Sequence, residues 1–343
     1  QHTGILRWIP VPHHRVYVLE LAGEDDDFAA AEAATAADGV SVVAPGVATA
    51  TALDGERFAQ LAFAHRASEL VARTDGSIRD AIEALAKAPL DRQGSVAVRA
   101  RDVRGTADVD TASAERRLGQ VLVDAGYVVD LETPEHVLVA LFAGETLFLG
   151  WRVADTIRDY GQRAPTDRPF FQPGSMDPQL ARAVVNFARV DPGDRLLDPM
   201  CGTGGLLVEA GLVGATPVGF DAQRSMVVGT RENLREFVGR DSDLGVADAT
   251  SLPLVDGSVA AVVFDAPYGR QSKIAGHDLD ALVAGALSEA RRVADRAVLI
   301  SDREVESMAA AAGWSVEGLY ERRVHRSLTR FVHVLDGSVR SGD

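Results

Sequence analysis

From Pro178 onward one unit recurs along the chain: a short apolar run that ends on aspartate, followed in most cases by a stretch of helical period. The runs RLLD, VGFD, LGVAD and VAAVVFD end at Asp198, Asp221, Asp248 and Asp265. The stretches GLLVEAGLVG, MVVGTRENLREFV and LDALVAGALSEARRV repeat their apolar residues at three- and four-residue intervals. Strands that alternate with helices run parallel, because each crossover helix carries the chain back to the edge where it began. Such sheets bind ligands beyond their C-terminal strand ends, which is where these aspartates fall. Residues 175–337 therefore read as an α/β domain, a doubly wound parallel sheet completed by RAVLIS and by two closing strands in WSVEGLYERRVHRSLTRFVHVL.

The first half has a different rhythm. VYVLEL opens a strand, EDDDFAAAEAATAADG is an acid-capped helix closed by Gly39, and VSVVAPG is a short strand. SIRDAIEALAKAP and ASAERRLGQVLVDAGY read as helices, SVAVRARDV alternates as a strand, and VVDLETPEHVLVALFAGETLFLGWRV holds two or three more. Residues 16–155 are thus α+β, and residues 1–15 form an N-terminal extension of unknown role. The stretch 156–174 is rich in Pro, Gly and charge without periodicity, and reads as a linker.

Composition narrows the function classes. The formal net charge is -15, and of 35 basic residues only Lys87 and Lys273 are lysine. Acid excess with lysine nearly absent suits a high-salt cytoplasm, where screening relieves repulsion among carboxylates; arginine-for-lysine bias in a GC-rich genome is the alternative. A globally basic nucleic-acid binder is excluded, although a local arginine patch is not. Arg99, Arg101, Arg116 and Arg117, and Arg322, Arg323 and Arg326 near the end, are candidates for phosphate contact or for solvated surface. No run of about 18 apolar residues appears and the start lacks an apolar signal-peptide centre, so a cytoplasmic protein is expected. One cysteine, Cys201, and eight scattered histidines offer neither a disulfide nor a metal-ligand spacing.

The stretch DPMCGTGGLLVEA places Asp198 and Pro199 before a glycine-rich turn, Cys201-Gly202-Thr203-Gly204, that leads into a helix. Glycines let a ligand approach the backbone, and the helix start offers unpaired N–H groups. The dinucleotide pattern fails because Leu207 occupies its third glycine position, and no Gly-Lys-Ser/Thr phosphate loop occurs. S-adenosylmethionine (SAM) is the reading that remains. Asp221 is placed to accept hydrogen bonds from ribose hydroxyls, and Asp248 with Ala249 to meet the adenine. Cys201 is either a nucleophile or a small residue filling a tight turn, and the second reading is preferred.

Asp265 is followed by Ala266, Pro267 and Tyr268. An exocyclic amine on a base is a poor nucleophile because its lone pair is delocalised. Acceptors for its hydrogens, here the Asp265 carboxylate and the Ala266 carbonyl, favour a pyramidal nitrogen; Pro267 stiffens the turn and Tyr268 can stack on the base.

DPMCGTGG, GFD, VADA and FDAPYGRQSK together resemble the amino-methyltransferases of the Asp-Pro-Pro-Tyr class. More closely, the chain resembles the archaeal tRNA (guanine-10-N2) methyltransferases from about Val16 onward. VAVRARDV, AERRLGQVLVDAGYVVDLETPEH and TLFLGWRV are similar to THUMP segments, and FFQPGSMDPQLARAVVNFA to the entry into the catalytic domain. The resemblance implies a ferredoxin-like and THUMP tRNA-binding region over 16–155 and a Rossmann-like SAM-dependent methyltransferase over 175–337. It implies methylation of a guanosine N2 in tRNA, at position 10, once and then twice, by a monomer without an obligate protein partner. Other substrates of the class, such as another tRNA or rRNA guanine or DNA adenine, and a catalytically silent RNA-binding protein, are the alternatives. The sequence departs from the family at Ala266, where proline is usual; the carbonyl acceptor is kept and one constraint on the turn is lost.

Overall fold

The computed structural model describes residues 15–239, 242–267, 276–325 and 328–338. The chain divides into two compact units, Gln1–Ile157 and Arg158–Asp343. No helix among the described residues is long and apolar enough to cross a membrane.

The first unit runs β1 (Tyr17–Leu21), α1 (Asp26–Ala33), β2 (Ala37–Asp38), β3 (Ser41–Ala44), β4 (Val47–Ala50), β5 (Ala52–Leu53), α2 (Gly55–Ala59), β6 (Ala64–Asp75) and α3 (Ile78–Lys87). It continues through β7 (Ser95–Asp102), α4 (Thr111–Asp124), β8 (Val128–Val129), β9 (His136–Ala143) and β10 (Thr146–Asp155). One eight-stranded sheet, ordered β3-β4-β1-β6-β10-β9-β7-β8, spans the unit. Its β9, HVLVALFA, is buried along both faces: Leu138, Ala140 and Phe142 pack with Leu85, Leu118 and Leu122 of α3 and α4, and Val137, Val139 and Leu141 with Val18, Val47 and Phe148. A strand covered on both sides has no polar face, which is why its sequence is apolar without alternation.

The helices begin where acids or hydroxyls cap them. Asp25, Ser77 and Asp110 accept from the backbone N–H groups of Phe28, Arg79 and Ser113. The helix read from residue 24 to Gly39 is shorter than that, since it ends at Ala33 and the following residues form β2. The sequence reading assigns nothing to β6, although this twelve-residue strand lies between β1 and β10 in the middle of the sheet. Register shifts against both neighbours break its period of two, so AHRASELVARTD shows no alternation.

The second unit has α5 (Pro178–Phe187), β11 (Arg195–Asp198), α6 (Gly205–Leu212), β12 (Thr216–Asp221), α7 (Arg224–Phe237), β13 (Asp243–Val246), β14 (Ala261–Asp265), α8 (Gly276–Val293), β15 (Arg296–Ser301), α9 (Glu306–Ala311), β16 (Ser315–His325) and β17 (Leu328–Asp336). Its seven strands are ordered β13-β12-β11-β14-β15-β17-β16. β11 to β15 are parallel, as the alternation requires, and the two closing strands are antiparallel.

The 156–174 stretch is not a linker. From Arg158 it belongs to the second unit, where Tyr160, Arg163 and Arg168 are buried. Arg163 Nε donates to Glu209 Oε1 at 2.6 Å and its Nη1 to Asp159 at 2.7 Å, while Arg182 Nε donates to Glu209 Oε2 at 3.0 Å. Phe170 exchanges two backbone hydrogen bonds with the Asn233 side chain, at 2.9 and 2.8 Å. Charge made the segment look solvated; its partners lie on α6 and α7, too distant in sequence to be read. Glu209 is fully buried and serves two buried guanidinium groups. Its removal leaves Arg163 with Asp159 and takes the buried carboxylate from Arg182, so Glu209→Ala should destabilise the second unit by about 3–5 kcal/mol, checked by chemical denaturation of the full chain.

Candidate active site

The parallel strands β11, β12 and β14 end on Asp198, Asp221 and Asp265, at the same edge of the sheet. Asp198 is 2% exposed and its Oδ1 accepts from Met200 N at 3.0 Å. Burial pushes its carboxyl well above the usual carboxylate range, and the charges of Asp221 and Asp265 push in the same direction. A cavity of about 200 Å³ opens between Asp198, Asp265, the glycine turn and the segment Gln172–Met176.

The glycine turn is held from below. Gly202 and Gly204 have φ of 51° and 76°, a region that costs other residues strain. A Cβ on Gly204 would also stand 2.7 Å from Thr230 Cγ2. Gly202 N donates to Asp221 Oδ2 at 3.0 Å, which ties the turn to the tip of β12, and Asp221 Oδ1 accepts from Gln223 N at 2.8 Å. Thr230 Oγ1 donates to the Gly202 carbonyl at 2.8 Å and Asn233 Nδ2 to the Thr203 carbonyl at 2.8 Å. Ser175 Oγ lies 3.1 Å from Thr203 Oγ1. Thr230, Asn233 and Ser175 are missing from the sequence reading. The first two are fully buried polar residues three apart on one face of α7, and that break in the apolar face was the available signal.

The other sequence candidates fall as follows. Pro199 is buried, Thr203 is 8% exposed, and Cys201 packs with Leu207, Val208 and Leu234. Asp248 is exposed beyond β13, where its Oδ1 accepts from Thr250 N and Oγ1, both at 2.8 Å; the bond from the Thr250 backbone holds its carboxyl below the usual range. It does not line the cavity, and Ala249 beside it is buried in the core. Ala266 is buried and its N–H donates to the Ile300 carbonyl at 2.9 Å, which fixes the turn after Asp265. Tyr268 and Arg326 lie outside the described residues. Arg322 and Arg323 pair across β16 with Arg330 and Thr329 of β17, and so stand at the edge that carries the aspartates. Arg99 is tied to the Val98 and Leu131 carbonyls and Arg101 to the buried Glu20 at 2.8 Å, whereas Arg116 and Arg117 are exposed on α4.

A glycine-floored cavity bearing two acids at the C-terminal edge of a mostly parallel sheet suits a nucleotide-like ligand. In keeping with it, the UPF0020 model, an RMKL-like methyltransferase domain, matches residues 165–331. The second unit is a Rossmann-like methyltransferase domain. A tRNA (guanine(10)-N2)-dimethyltransferase from Methanothermobacter thermautotrophicus is 38% identical over 81% of this chain and 83% of its own length. One of the same name from Pyrococcus abyssi is 29% identical over 82% and 86%. A tRNA (guanine(6)-N2)-methyltransferase from Thermus thermophilus is 31% identical over 63% and 66%. The chain belongs to the family of tRNA (guanine(10)-N2)-dimethyltransferases.

Burial, with Asp198 nearby, pushes the Cys201 thiol far up, so it stays protonated across the physiological range and cannot act as a thiolate. A thiol reagent at pH 8 should label Cys201 only after unfolding; labelling at equal rates in native and denatured protein would refute its place in the core.

Proposed function

We propose that this chain transfers methyl groups from SAM to the N2 amine of guanosine 10 in tRNA, forming N2-methylguanosine and then N2,N2-dimethylguanosine. The observation that carries the reading is the convergence of Asp198 and Asp265 on one cavity floored by glycine, with Asp221 bound to the back of the glycine turn. The Asp265 carboxylate at the cavity, with Asp198 beside it, favours a cation there, and a sulfonium is such a cation. SAM also carries a ribose diol, which an acceptor-only carboxylate such as Asp221 suits, and a methionyl group for which the wall from Gln172 to Met176 has room. When bound, SAM supplies an electrophilic methyl group.

The residues of this chain do the rest. The Asp265 carboxylate and Ala266 carbonyl accept the amine hydrogens and turn the nitrogen lone pair toward the cavity. Pro267 restricts the turn and Tyr268 stacks on a base drawn out of the tRNA. The first unit, in its ferredoxin-like and THUMP reading, docks the tRNA so that one guanine is presented. After one transfer the amine keeps a hydrogen for Asp265, so rotation about the C–N bond permits the second. The Methanothermobacter and Pyrococcus relatives named for guanine 10 match more of the chain than the Thermus one named for guanine 6, and that favours position 10. The reading includes a monomer, and a saline cytoplasm that the net charge of -15 supports.

Asp221→Ala should weaken SAM by about 1.5–3 kcal/mol, the size of a lost charge-assisted hydrogen bond, while the protein stays folded; unchanged affinity in calorimetry rules out the ribose contact. Asp265→Ala should keep its affinity for tRNA with kcat lower by on the order of 10². Mass spectrometry of digested tRNA should show the dimethylated nucleoside growing after the monomethylated one, and label on adenine or cytosine alone would overturn the substrate. The melting temperature should rise with potassium chloride up to molar concentrations.

A further inference from the structure

We propose that Arg330 is the positioning residue of Asp265 and acts on methyl transfer through that carboxylate; the inference rests on the role given to Asp265 above. β17 runs antiparallel to β15, pairing Ile300 with Val332 and Ser301 with Phe331. Its first residues therefore lie past the end of β15, at the edge where β14 delivers Asp265 opposite Ile300. Along β17 the period of two puts Arg330 on the same face as Val332 and Val334, which are 0% and 3% exposed. An arginine stands where the pattern calls for an apolar residue. Its side chain is 5% exposed, with Nη2 at ion-pair distance, 3.6 Å, from Asp265 Oδ2. The same Nη2 donates to the Gly174 carbonyl at 3.4 Å.

Gly174 and Asp265 both line the cavity, so one guanidinium joins its wall to the carboxylate that receives the amine. Desolvating a guanidinium is costly and packing alone would be served by a valine, so the charge has a use at this place. An acceptor must be held in one orientation to act on a developing charge, and a guanidinium whose Nη2 is placed by the Gly174 carbonyl sets a fixed positive charge beside Asp265 Oδ2. A lysine keeps the charge on a more freely rotating head.

The test uses the full chain, single-turnover methylation of tRNA, and calorimetry with SAM, on wild type, Asp265→Ala, Arg330→Met, Arg330→Lys and the double variants. Arg330→Met should slow transfer roughly 10- to 100-fold, with SAM affinity and KM for tRNA within about threefold of wild type, and Arg330→Lys should recover part of the rate. In the Asp265→Ala background neither replacement should slow transfer further, since two residues that act as one do not add. An unchanged rate in Arg330→Met, or losses that multiply in the double variant, overturns the inference while the function stands. Should Arg330→Met not fold, the lysine variant carries the same cycle. A wild-type chain that leaves guanine N2 unmethylated overturns the function itself, and this inference with it.

Discussion

Like charges crowded at a buried edge are the constraint around which the second unit is built. Asp198 is out of solvent at the tip of a central strand, with Asp221 and Asp265 near enough to oppose its ionisation. In an isolated fold this is a cost, and folds keep such costs where a ligand relieves them. Everything that fixes the three tips serves the arrangement: parallel pairing sets the strand ends level, and Gly202 N ties the turn to Asp221. A cationic cofactor then finds its acidic partners already fixed in place, and little needs to be rearranged when it binds.

The glycine turn is stiff although its residues are small. Its conformation is left-handed at Gly202 and Gly204, and side chains of α7 hold its carbonyls from beneath. Thr230 and Asn233 spend hydrogen bonds that a helix face would ordinarily leave apolar. Asn233 also grips the backbone at Phe170, so the segment entering the domain and the cofactor turn are fixed by one amide. The buried Arg163–Glu209–Arg182 group does the same for α5 and α6. Such groups are no stronger than apolar packing, but each demands its own partners and so specifies a single arrangement of the helices.

The closing strands do more than complete the sheet. In a purely parallel sheet every strand points its C-terminal end at the ligand; an antiparallel insertion brings a strand start there instead. β17, inserted between β15 and β16, carries Arg330 to the Asp265 tip, and the β16 partners Arg322 and Arg323 arrive at the same edge. Positive side chains thus reach an edge whose own strands supply acids. That placement suits a polyanionic substrate approaching an anionic cofactor cavity.

The sequence by itself determined the second unit's architecture. Apolar runs of four to seven residues ending on aspartate, separated by amphipathic helices, admit few sheets other than a parallel one, and glycines at turn positions declare close backbone approach. Asp198, Asp221 and Asp265 were legible because strand length and period place them at tips without knowledge of any partner. What only the tertiary structure decided depends on contacts across long separations. β6 lost its alternation to bulges set by its neighbours; Arg163 looked solvated until Glu209, some forty residues on, came beside it. Asp248, at a strand end by the same reading, turned out to close a surface turn with Thr250, because local side-chain bonding there competes with facing the cavity. Arg330 was unreadable for the opposite reason: its period matched an apolar face, and only the antiparallel insertion of β17 reveals that a carboxylate waits at the end of it.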